Sequence, residues 1–230
     1  VAIFRSFAMR NIKCYMVLVD DHPLMTEGLR QLLASQAGLS ICGMAGSVQQ
    51  AIALVESSAP DLIITDLTLP GRNGLELIKD LGTTHPEIPI IVLSMHDELL
   101  YAERVLRAGG RGFVTKNSPT ERILEAIHCV LAGGVFVSPA VTNHFLQSML
   151  PGRSPAKPSF PLDRLTDREI EVFELIGHAK SNHDISSLLG ISTRTVDVHR
   201  AHIREKLSLE DGNALTRHAI RWVEVGMISN

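Results

Sequence analysis

The stretch Leu62-Ile-Ile-Thr-Asp-Leu-Thr-Leu-Pro-Gly-Arg-Asn-Gly74 joins a short apolar run to an acidic residue and a loop containing Pro and Gly. The apolar run predicts a buried β-strand that ends at Asp66. Helix-length segments separate this run from four similar ones. These lie near residues 15–20, 40–45, 89–94 and 112–115. Five short strands alternating with helices predict a doubly wound α/β domain with a five-stranded parallel sheet.

The predicted helices of this first half fill the gaps between the strands. They are expected near 23–36, 47–58, 74–84, 97–108 and 118–132. The first shows the apolar spacing of a helix in Leu29, Leu32 and Leu33. One more short helix is expected near 139–149.

Polar residues close four of the predicted strands. Asp20 and Asp21 follow the first strand, Asp66 the third, Ser94 the fourth and Lys116 the fifth. The carboxyl ends of parallel strands meet at one edge of the sheet, where open α/β sheets bind their ligands. Each residue alone has a simpler explanation, since an Asp pair can cap a helix, a lone Asp can serve a turn, and a lone Lys is usually solvated. Their joint placement at successive strand ends indicates one shared site.

Such a site suits metal-assisted phosphoryl transfer. The carboxylate of Asp66 can act as the nucleophile and accept a phosphoryl group. Mg²⁺ prefers oxygen ligands, and Asp21 and Asp66 can supply two of them. Asp20 can hold a coordinated water, and the backbone carbonyl of Thr68 offers another ligand. The side chains that close the fourth and fifth strands can then contact the phosphoryl oxygens.

Beyond residue 150 the pattern changes. Four prolines within 151–161 predict a semi-extended linker. Helix signals follow, and the first of them begins at a capping box formed by Thr166 and Glu169. Three more helices are expected near 182–189, 193–207 and 211–225. The middle pair, joined by a turn at Gly190, has the spacing of a helix-turn-helix, although a small helical bundle could show the same spacing.

The helix near 193–207 has two unlike faces. Val196, Ile203 and Leu207 form its apolar face. Short, hydrogen-bonding and basic side chains occupy the remainder, which suits a DNA major groove and its phosphates. The predicted DNA contacts are Arg194, Thr195, Asp197, Val198, Arg200, Ala201, His202, Arg204 and Lys206.

Acidic residues complicate this DNA-binding surface. Asp197 can accept a hydrogen bond from a cytosine amino group, or it can pair with Arg194 or Arg200 on its own helix. Residues 151–230 hold eleven Lys and Arg against eleven Asp and Glu. We therefore expect weak DNA binding by a monomer, and useful affinity when a homodimer places two helices on neighbouring half-sites.

Residues 14–133 resemble the receiver domain of bacterial two-component response regulators. The resemblance rests on Val-Asp-Asp-His-Pro (19–23), Asp-Leu-Thr-Leu-Pro-Gly-Arg-Asn-Gly (66–74), Leu-Ser-Met-His-Asp (93–97) and Gly-Phe-Val-Thr-Lys (112–116). It implies a flavodoxin-like fold in which a histidine kinase phosphorylates Asp66, while Asp20 and Asp21 bind Mg²⁺.

The same resemblance implies a conformational switch. Ser94 and Lys116 would contact the phosphate, and Phe113 matches the aromatic position that turns inward when Ser94 moves. Phe113 could equally be an ordinary core residue of the last strand. The phosphate would then bias a two-state equilibrium.

The helical tail resembles the LuxR-type helix-turn-helix. The strings that carry the resemblance are 165–176, 181–185, 190–200 and 203–207. With the receiver, the chain resembles a NarL/FixJ-family response regulator, although Asp167 stands where Pro is frequent and His183-Asp184 where Lys-Glu is frequent. The implied domains are an N-terminal extension (1–13), a receiver (14–133), a linker with a short helix (134–162) and a DNA-binding domain (163–230).

The implied function is a phosphorylation-gated transcriptional regulator that binds a double-stranded DNA operator and is not an enzyme. Two other functions fit parts of the chain. A phosphatase or hydrolase could use Asp66 covalently, but it would leave the tail unexplained and lacks a second acid–base group. A regulator of the same architecture could instead be controlled by protein or small-ligand binding, independently of phosphorylation.

Net charge, cysteine count and hydropathy exclude few classes of protein. A net charge of −3 neither indicates nor excludes a nucleic-acid partner. The three cysteines lack metal-site spacing and suit a reducing compartment. No apolar run reaches the roughly 20 residues of a membrane span, and residues 1–13 lack the apolar core of a signal peptide. Met9 could be an alternative start. We expect a cytoplasmic bacterial protein without a membrane partner.

Overall fold

The computed structural model describes residues 13–149 and 161–228. The chain divides into two compact units between Val141 and Thr142. Residues 1–12 of the predicted N-terminal extension and most of the predicted proline linker lie outside the described residues.

The first unit contains a five-stranded parallel sheet. Its strands are β1 (Cys14–Val19), β2 (Leu39–Ala45), β3 (Leu62–Thr65), β4 (Ile90–Ser94) and β5 (Gly112–Thr115). Their order in the sheet is β2-β1-β3-β4-β5, with every pair parallel. This is the flavodoxin-like order, and it reverses between β1 and β3. The predicted doubly wound fold is confirmed.

Five helices connect and follow the strands. They are α1 (Pro23–Ala34), α2 (Val48–Ser58), α3 (Gly74–Thr84), α4 (Glu98–Ala108) and α5 (Thr120–Leu131). Ser47, Asn73 and Asp97 begin three of them, and each accepts a hydrogen bond from a backbone N–H in the first turn. Side-chain caps of this kind contribute about 1 kcal/mol each.

The central strands are buried on both faces because helices cover both sides of the sheet. All residues of β3 and β4 are buried. On one face, Leu18, Ile64 and Ile91 pack in a cluster with Leu33 and Ile127 from the helices. Burial of such a side chain contributes about 2 kcal/mol, so this core holds the strand ends in fixed relative positions.

The chain after α5 returns along the edge strand β5. Phe136 forms a parallel bridge with Gly112, and its carbonyl accepts a hydrogen bond from the Phe113 N–H at 2.9 Å. The Ser138 N–H then donates to Glu98 Oε1 at 2.8 Å. This pairing covers an edge that would otherwise expose unpaired backbone groups. It also keeps the chain with the first unit beyond residue 133.

Helical segments make up the described part of the second unit. Helix α6 (Pro139–Met149) begins in the first unit, where it was expected from the sequence. A 3₁₀ turn over Pro161–Arg164, which the sequence did not indicate, precedes α7 (Asp167–Gly177). The remaining helices are α8 (Asn182–Leu189), α9 (Thr193–Lys206) and α10 (Gly212–Ile228).

Local sequence signals account for the helix ends in this unit. The predicted capping box of Thr166 and Glu169 is present at the start of α7. A second capping box, formed by Ser181 and Asp184, starts α8. Gly190 ends α8 in the left-handed conformation at φ 61°, a conformation that favours glycine. The turn between α8 and α9 is therefore short, as a helix-turn-helix requires.

Candidate functional site

The carboxyl ends of β1, β3 and β5 bring two acidic residues to one lysine. Lys116 Nζ lies 2.7 Å from Asp66 Oδ2 and 2.7 Å from Asp20 Oδ2. The three side chains are only 9%, 4% and 6% exposed. The predicted convergence of these strand ends is present in the structure.

Hydrogen bonds keep Lys116 charged and orient the carboxylate of Asp66. Burial alone would lower the pKa of Lys116, but hydrogen bonds to Asp20 and Asp66 outweigh it and the pKa is raised. Lys116 therefore stays charged. The second oxygen of Asp66, Oδ1, accepts a hydrogen bond from the Leu67 N–H at 2.7 Å. Both carboxylate oxygens of Asp66 are thus oriented by donors.

The same edge of the sheet can hold a divalent cation. Asp20, Asp21, His22 and Asp66 can each present a ligand atom, and these atoms lie within 4.8 Å of one another. The three carboxylates of this cluster and the single ammonium of Lys116 together leave about two negative charges to be balanced. A set dominated by carboxylate oxygens fits Mg²⁺, a hard cation.

His22 is a member of this cluster that the sequence reasoning missed. Its Nδ1 lies 3.0 Å from Asp20 Oδ1 and 3.0 Å from Asp21 Oδ1. The available signal was its position directly after the Asp pair. The carbonyl of Thr68 as a metal ligand stays a prediction, while the Thr68 hydroxyl lies 2.9 Å from Nε2 of His96.

Ser94 and Phe113 lie on the neighbouring strands β4 and β5, and the Ser94 carbonyl accepts a hydrogen bond from the Lys116 N–H at 2.8 Å. Ser94 is fully buried, and its hydroxyl accepts a hydrogen bond from the His96 N–H at 3.3 Å. Phe113 is 1% exposed. This burial suits both an ordinary core residue and an inward-turned switch residue, so the switch role of Phe113 stays a prediction.

The loop after Asp66 folds closely beneath the site. The Gly74 N–H donates to the Leu67 carbonyl at 2.8 Å. A Cβ atom on Gly74 would lie 2.1 Å from the Asp66 carbonyl oxygen, so no other residue fits here without a shift of the backbone. Asn73 caps α3 through its side chain and is buried. The close approach of Gly74 to the backbone of Asp66 thus explains why a glycine stands at this position.

In the second unit, α9 presents the predicted exposed face. Val196 and Ile203 are buried, as expected for its apolar side. Exposed or partly exposed side chains occupy the positions predicted for DNA contacts. These are Arg194, Thr195, Asp197, Val198, Arg200, Ala201, His202, Arg204 and Lys206.

Lys206 has a structural contact beside its predicted DNA contact. Its Nζ lies 2.6 Å from Oε2 of Glu169, whose side chain is 4% exposed. Burial would raise the pKa of Glu169, but hydrogen bonds from Lys206 and Thr166 outweigh it and the pKa is lowered. The ion pair joins α9 to the start of α7.

Asp197 is bonded to a residue that the sequence reasoning missed. Its Oδ1 accepts a hydrogen bond from Asn182 Nδ2 at 2.6 Å. Asn182 is the first residue of α8, so the contact crosses the helix-turn-helix. No hydrogen bond or ion pair joins Asp197 to Arg194 or Arg200 within the described residues, although the charge of Asp197 acts on Arg200 and opposes the lowering of its pKa by burial. The sequence feature that could have indicated this contact is the turn at Gly190, because it returns the chain toward α8.

A doubly wound domain with an acidic pocket, joined to a helix-turn-helix unit, is the architecture of a DNA-binding response regulator. Residues 16–128 match the response regulator receiver domain, and residues 163–219 match the bacterial regulatory proteins of the luxR family. The chain belongs to the NarL/FixJ family of two-component response regulators. As this family membership indicates, it is a transcription regulator and not an enzyme.

Relatives match over nearly the whole chain. The chain is 31% identical to the transcriptional regulatory protein DegU of Brevibacillus brevis, over 93% of this chain and 96% of DegU. It is 32% identical to the response regulator GacA of Pseudomonas aeruginosa, over 90% of this chain and 95% of GacA. RcsB of Salmonella enterica serovar Typhimurium, solved on promoter DNA with a phosphomimetic, shares the fold. Its TM-score is 0.64 at 23% identity, over 90% of this chain and 98% of RcsB.

None of the helices in residues 13–149 and 161–228 combines the length and the apolar character that crossing a bilayer requires.

Proposed function

We propose that a histidine kinase phosphorylates this response regulator on Asp66 and that the modification controls its affinity for operator DNA. The observation that carries the proposal is the contact of Lys116 Nζ with Asp66 and Asp20 at 2.7 Å each. A buried carboxylate beside a fixed ammonium and further acidic groups is suited to accept a phosphoryl group.

The chemistry follows from the positions of these groups. An Asp66 oxygen attacks the phosphorus of a phosphohistidine, the P–N bond breaks, and the departing imidazole nitrogen takes a proton from solvent. Lys116 contacts the phosphoryl oxygens, while the Leu67 N–H orients the carboxylate. Asp20, Asp21, Asp66 and the Thr68 carbonyl would hold Mg²⁺, which when bound supplies positive charge to the phosphoryl oxygens.

The switch is proposed to begin at Ser94. Its hydroxyl would turn to donate to a phosphoryl oxygen and thereby give up its bond to the His96 N–H. A shift of β5 at Phe113 would follow. Because the Phe113 N–H is bonded to the Phe136 carbonyl, such a shift is expected to reach the segment after α5. The phosphoryl group would thus bias an equilibrium between two arrangements of this surface.

The output is proposed to be a homodimer that places α9 of each copy in the major groove of double-stranded DNA. The equal numbers of basic and acidic residues over 151–230 favour a dimer, because one copy offers little net attraction to phosphates. RcsB, a protein of the same fold, has been solved on promoter DNA with a phosphomimetic, which is the behaviour proposed for this chain. The bacterial cytoplasm, where such DNA lies, is the proposed location.

Acetyl phosphate with Mg²⁺ provides a direct test. The intact mass of the full chain should rise by one phosphoryl group in the wild type and in Asp61→Ala, but not in Asp66→Ala. Affinity for a duplex selected by the wild type from a random pool should rise with the modification. Equal DNA binding and equal oligomeric state with and without the phosphoryl group would contradict the proposal and favour control by a protein or small ligand.

A further inference from the structure

The bond between Asn182 and Asp197 places an oriented carboxylate on the exposed side of α9. Asn182 Nδ2 donates to Asp197 Oδ1 at 2.6 Å. Asp197 is exposed, and within the described part of the chain no other hydrogen bond or ion pair involves its carboxylate. The charge of Asp197 also acts on Arg200, but no hydrogen bond or ion pair joins the two side chains. The second oxygen, Oδ2, is therefore available as an acceptor.

The position of Asp197 along α9 also favours a contact with DNA bases. Asp197 lies in the first half of α9, which begins at Thr193. In helix-turn-helix proteins the N-terminal residues of the recognition helix contact base edges. Val198, the next residue, is 46% exposed, so this part of the helix is open on its outer side.

An acidic side chain in the major groove discriminates between bases by repulsion as well as attraction. Guanine presents two acceptors, thymine presents one, and adenine presents an acceptor beside its amino group. Cytosine alone presents an amino donor without an acceptor of its own in that groove. A carboxylate acceptor therefore favours cytosine.

The bond from Asn182 holds one oxygen of this carboxylate toward α8 instead of along its own helix. Arg194 and Arg200 lie three residues before and after Asp197, a spacing at which opposite charges pair on a helix. Pairing there would occupy the carboxylate and remove it from the outer side of α9. The bond from α8 holds one oxygen instead and leaves the other as an acceptor.

We propose that Asp197, positioned by Asn182, sets a preference for cytosine at one base pair of each half-site. This inference rests on the proposed binding of α9 in the major groove. Asp197 is the specificity-determining residue, and Asn182 is a positioning residue that need not contact DNA.

Selection from a randomised duplex pool with the phosphorylated full chain tests the inference. The wild type should favour cytosine over the other bases by about fivefold or more at one position, the lower end for a base-edge contact. Asp197→Ala should lose the preference at that position alone. Asp197→Asn should change it to adenine, because an amide can both donate to N7 and accept from N6. Glu205→Ala, which removes an exposed acid near the end of the same helix, should leave all preferences unchanged.

Asn182 needs a measurement that a general structural defect would not reproduce. Asn182→Ala should weaken the cytosine preference by about threefold while its affinity for random duplex DNA stays equal to wild type. His183→Ala, a change at the adjacent exposed position, is the matched control and should alter neither quantity.

Asp197→Ala should bind random duplex DNA about threefold more tightly than the wild type, because it removes a negative charge that repels the DNA phosphates.

Two results would overturn the inference while leaving the proposed function intact. One is selection by Asp197→Ala of the same base at every position as the wild type. The other is an unchanged cytosine preference in Asn182→Ala, which would remove the positioning role. Absence of any selected sequence for the wild type would instead overturn the proposed DNA binding, and this inference with it.

Discussion

The ammonium of Lys116 contacts the carboxylate of Asp66 at 2.7 Å across 50 residues of sequence. Asp20 contacts the same ammonium at the same distance. Two buried carboxylates are therefore held together by one cation, and each would repel the other without it. The pocket depends on this lysine for its stability as well as for its proposed chemistry.

Replacement of Lys116 by Ala should destabilise the first unit and uncouple it from DNA. Loss of one partner of a buried ion pair costs about 3 kcal/mol in the free energy of unfolding. Mg²⁺ should recover part of that loss, because it supplies the missing positive charge. The variant should still accept a phosphoryl group from acetyl phosphate, while its DNA affinity no longer responds.

Thermal unfolding with and without Mg²⁺, intact mass and DNA titration measure these effects. Lys13→Ala removes an exposed lysine just before β1 and serves as the control, with an expected change within about 0.5 kcal/mol. A Lys116→Ala protein whose DNA affinity rises normally after phosphorylation would argue against the relay.

Binding of Mg²⁺ should depend on Asp21. Asp21 lies in the acidic cluster but is outside the contacts of Lys116, and its side chain is 38% exposed. Asp21→Asn should therefore fold normally yet bind Mg²⁺ at least about tenfold more weakly, because a charged ligand is lost. Isothermal titration calorimetry gives the affinity, and Asp61→Asn is the matched control. Equal Mg²⁺ affinity in Asp21→Asn and wild type would exclude Asp21 as a ligand.

The sequence was sufficient for the sheet and for the residues at its strand ends. Short apolar runs predict buried strands, and parallel strands bring their carboxyl ends together whatever the loops do. For this reason the sequence alone places Asp20, Asp66 and Lys116 together. The capping signal of Thr166 with Glu169 is equally local, so the start of α7 was also predictable.

Contacts that depend on side-chain direction were not predictable in the same way. Helical periodicity made Lys206 a predicted DNA contact of α9, but it does not reveal that Glu169 is buried within reach. His22 and Asn182 entered their clusters through turns whose geometry no periodic pattern encodes. The return of Phe136 along β5 is a single bridge, too short to show strand alternation.

Two glycine substitutions should change stability in opposite directions. Gly74→Ala places a methyl group 2.1 Å from the Asp66 carbonyl oxygen, so the loop must shift and the free energy of unfolding should fall by about 2 kcal/mol or more. Gly28→Ala lies within α1 where a Cβ meets nothing within 4 Å, and it should raise the free energy by about 0.5–1 kcal/mol. Urea unfolding compares the two. Equal stability of Gly74→Ala and wild type would contradict the close approach.

The ion pair of Glu169 and Lys206 should make the second unit sensitive to acid. Because the pKa of Glu169 is lower in the folded chain than its usual 4.5, its stabilising effect is present above that value and is lost as pH falls through the lowered pKa. Glu169→Gln should cost about 2 kcal/mol at pH 7 and less at pH 3.5. Trp222 in α10 is the single tryptophan, so its fluorescence follows unfolding of this unit alone. An identical gap between Glu169→Gln and wild type at both pH values would show that the charge of Glu169 is unimportant.

Val198 tests the orientation of α9 toward DNA. Its side chain is 46% exposed, so Val198→Glu should leave the thermal midpoint unchanged. A carboxylate at this position would meet the acceptor-rich edges of the major groove and the phosphates, and affinity for the selected duplex should fall by at least about a hundredfold. Leu188→Glu is the matched control, because Leu188 is 52% exposed on α8 and gains the same charge. Leu188→Glu should weaken binding by less than about fivefold, since α8 is not the helix proposed to enter the groove. Equal losses of DNA affinity in the two variants would show that the added charge alone weakens binding. The exposed side of α9 would then not be the side that faces DNA.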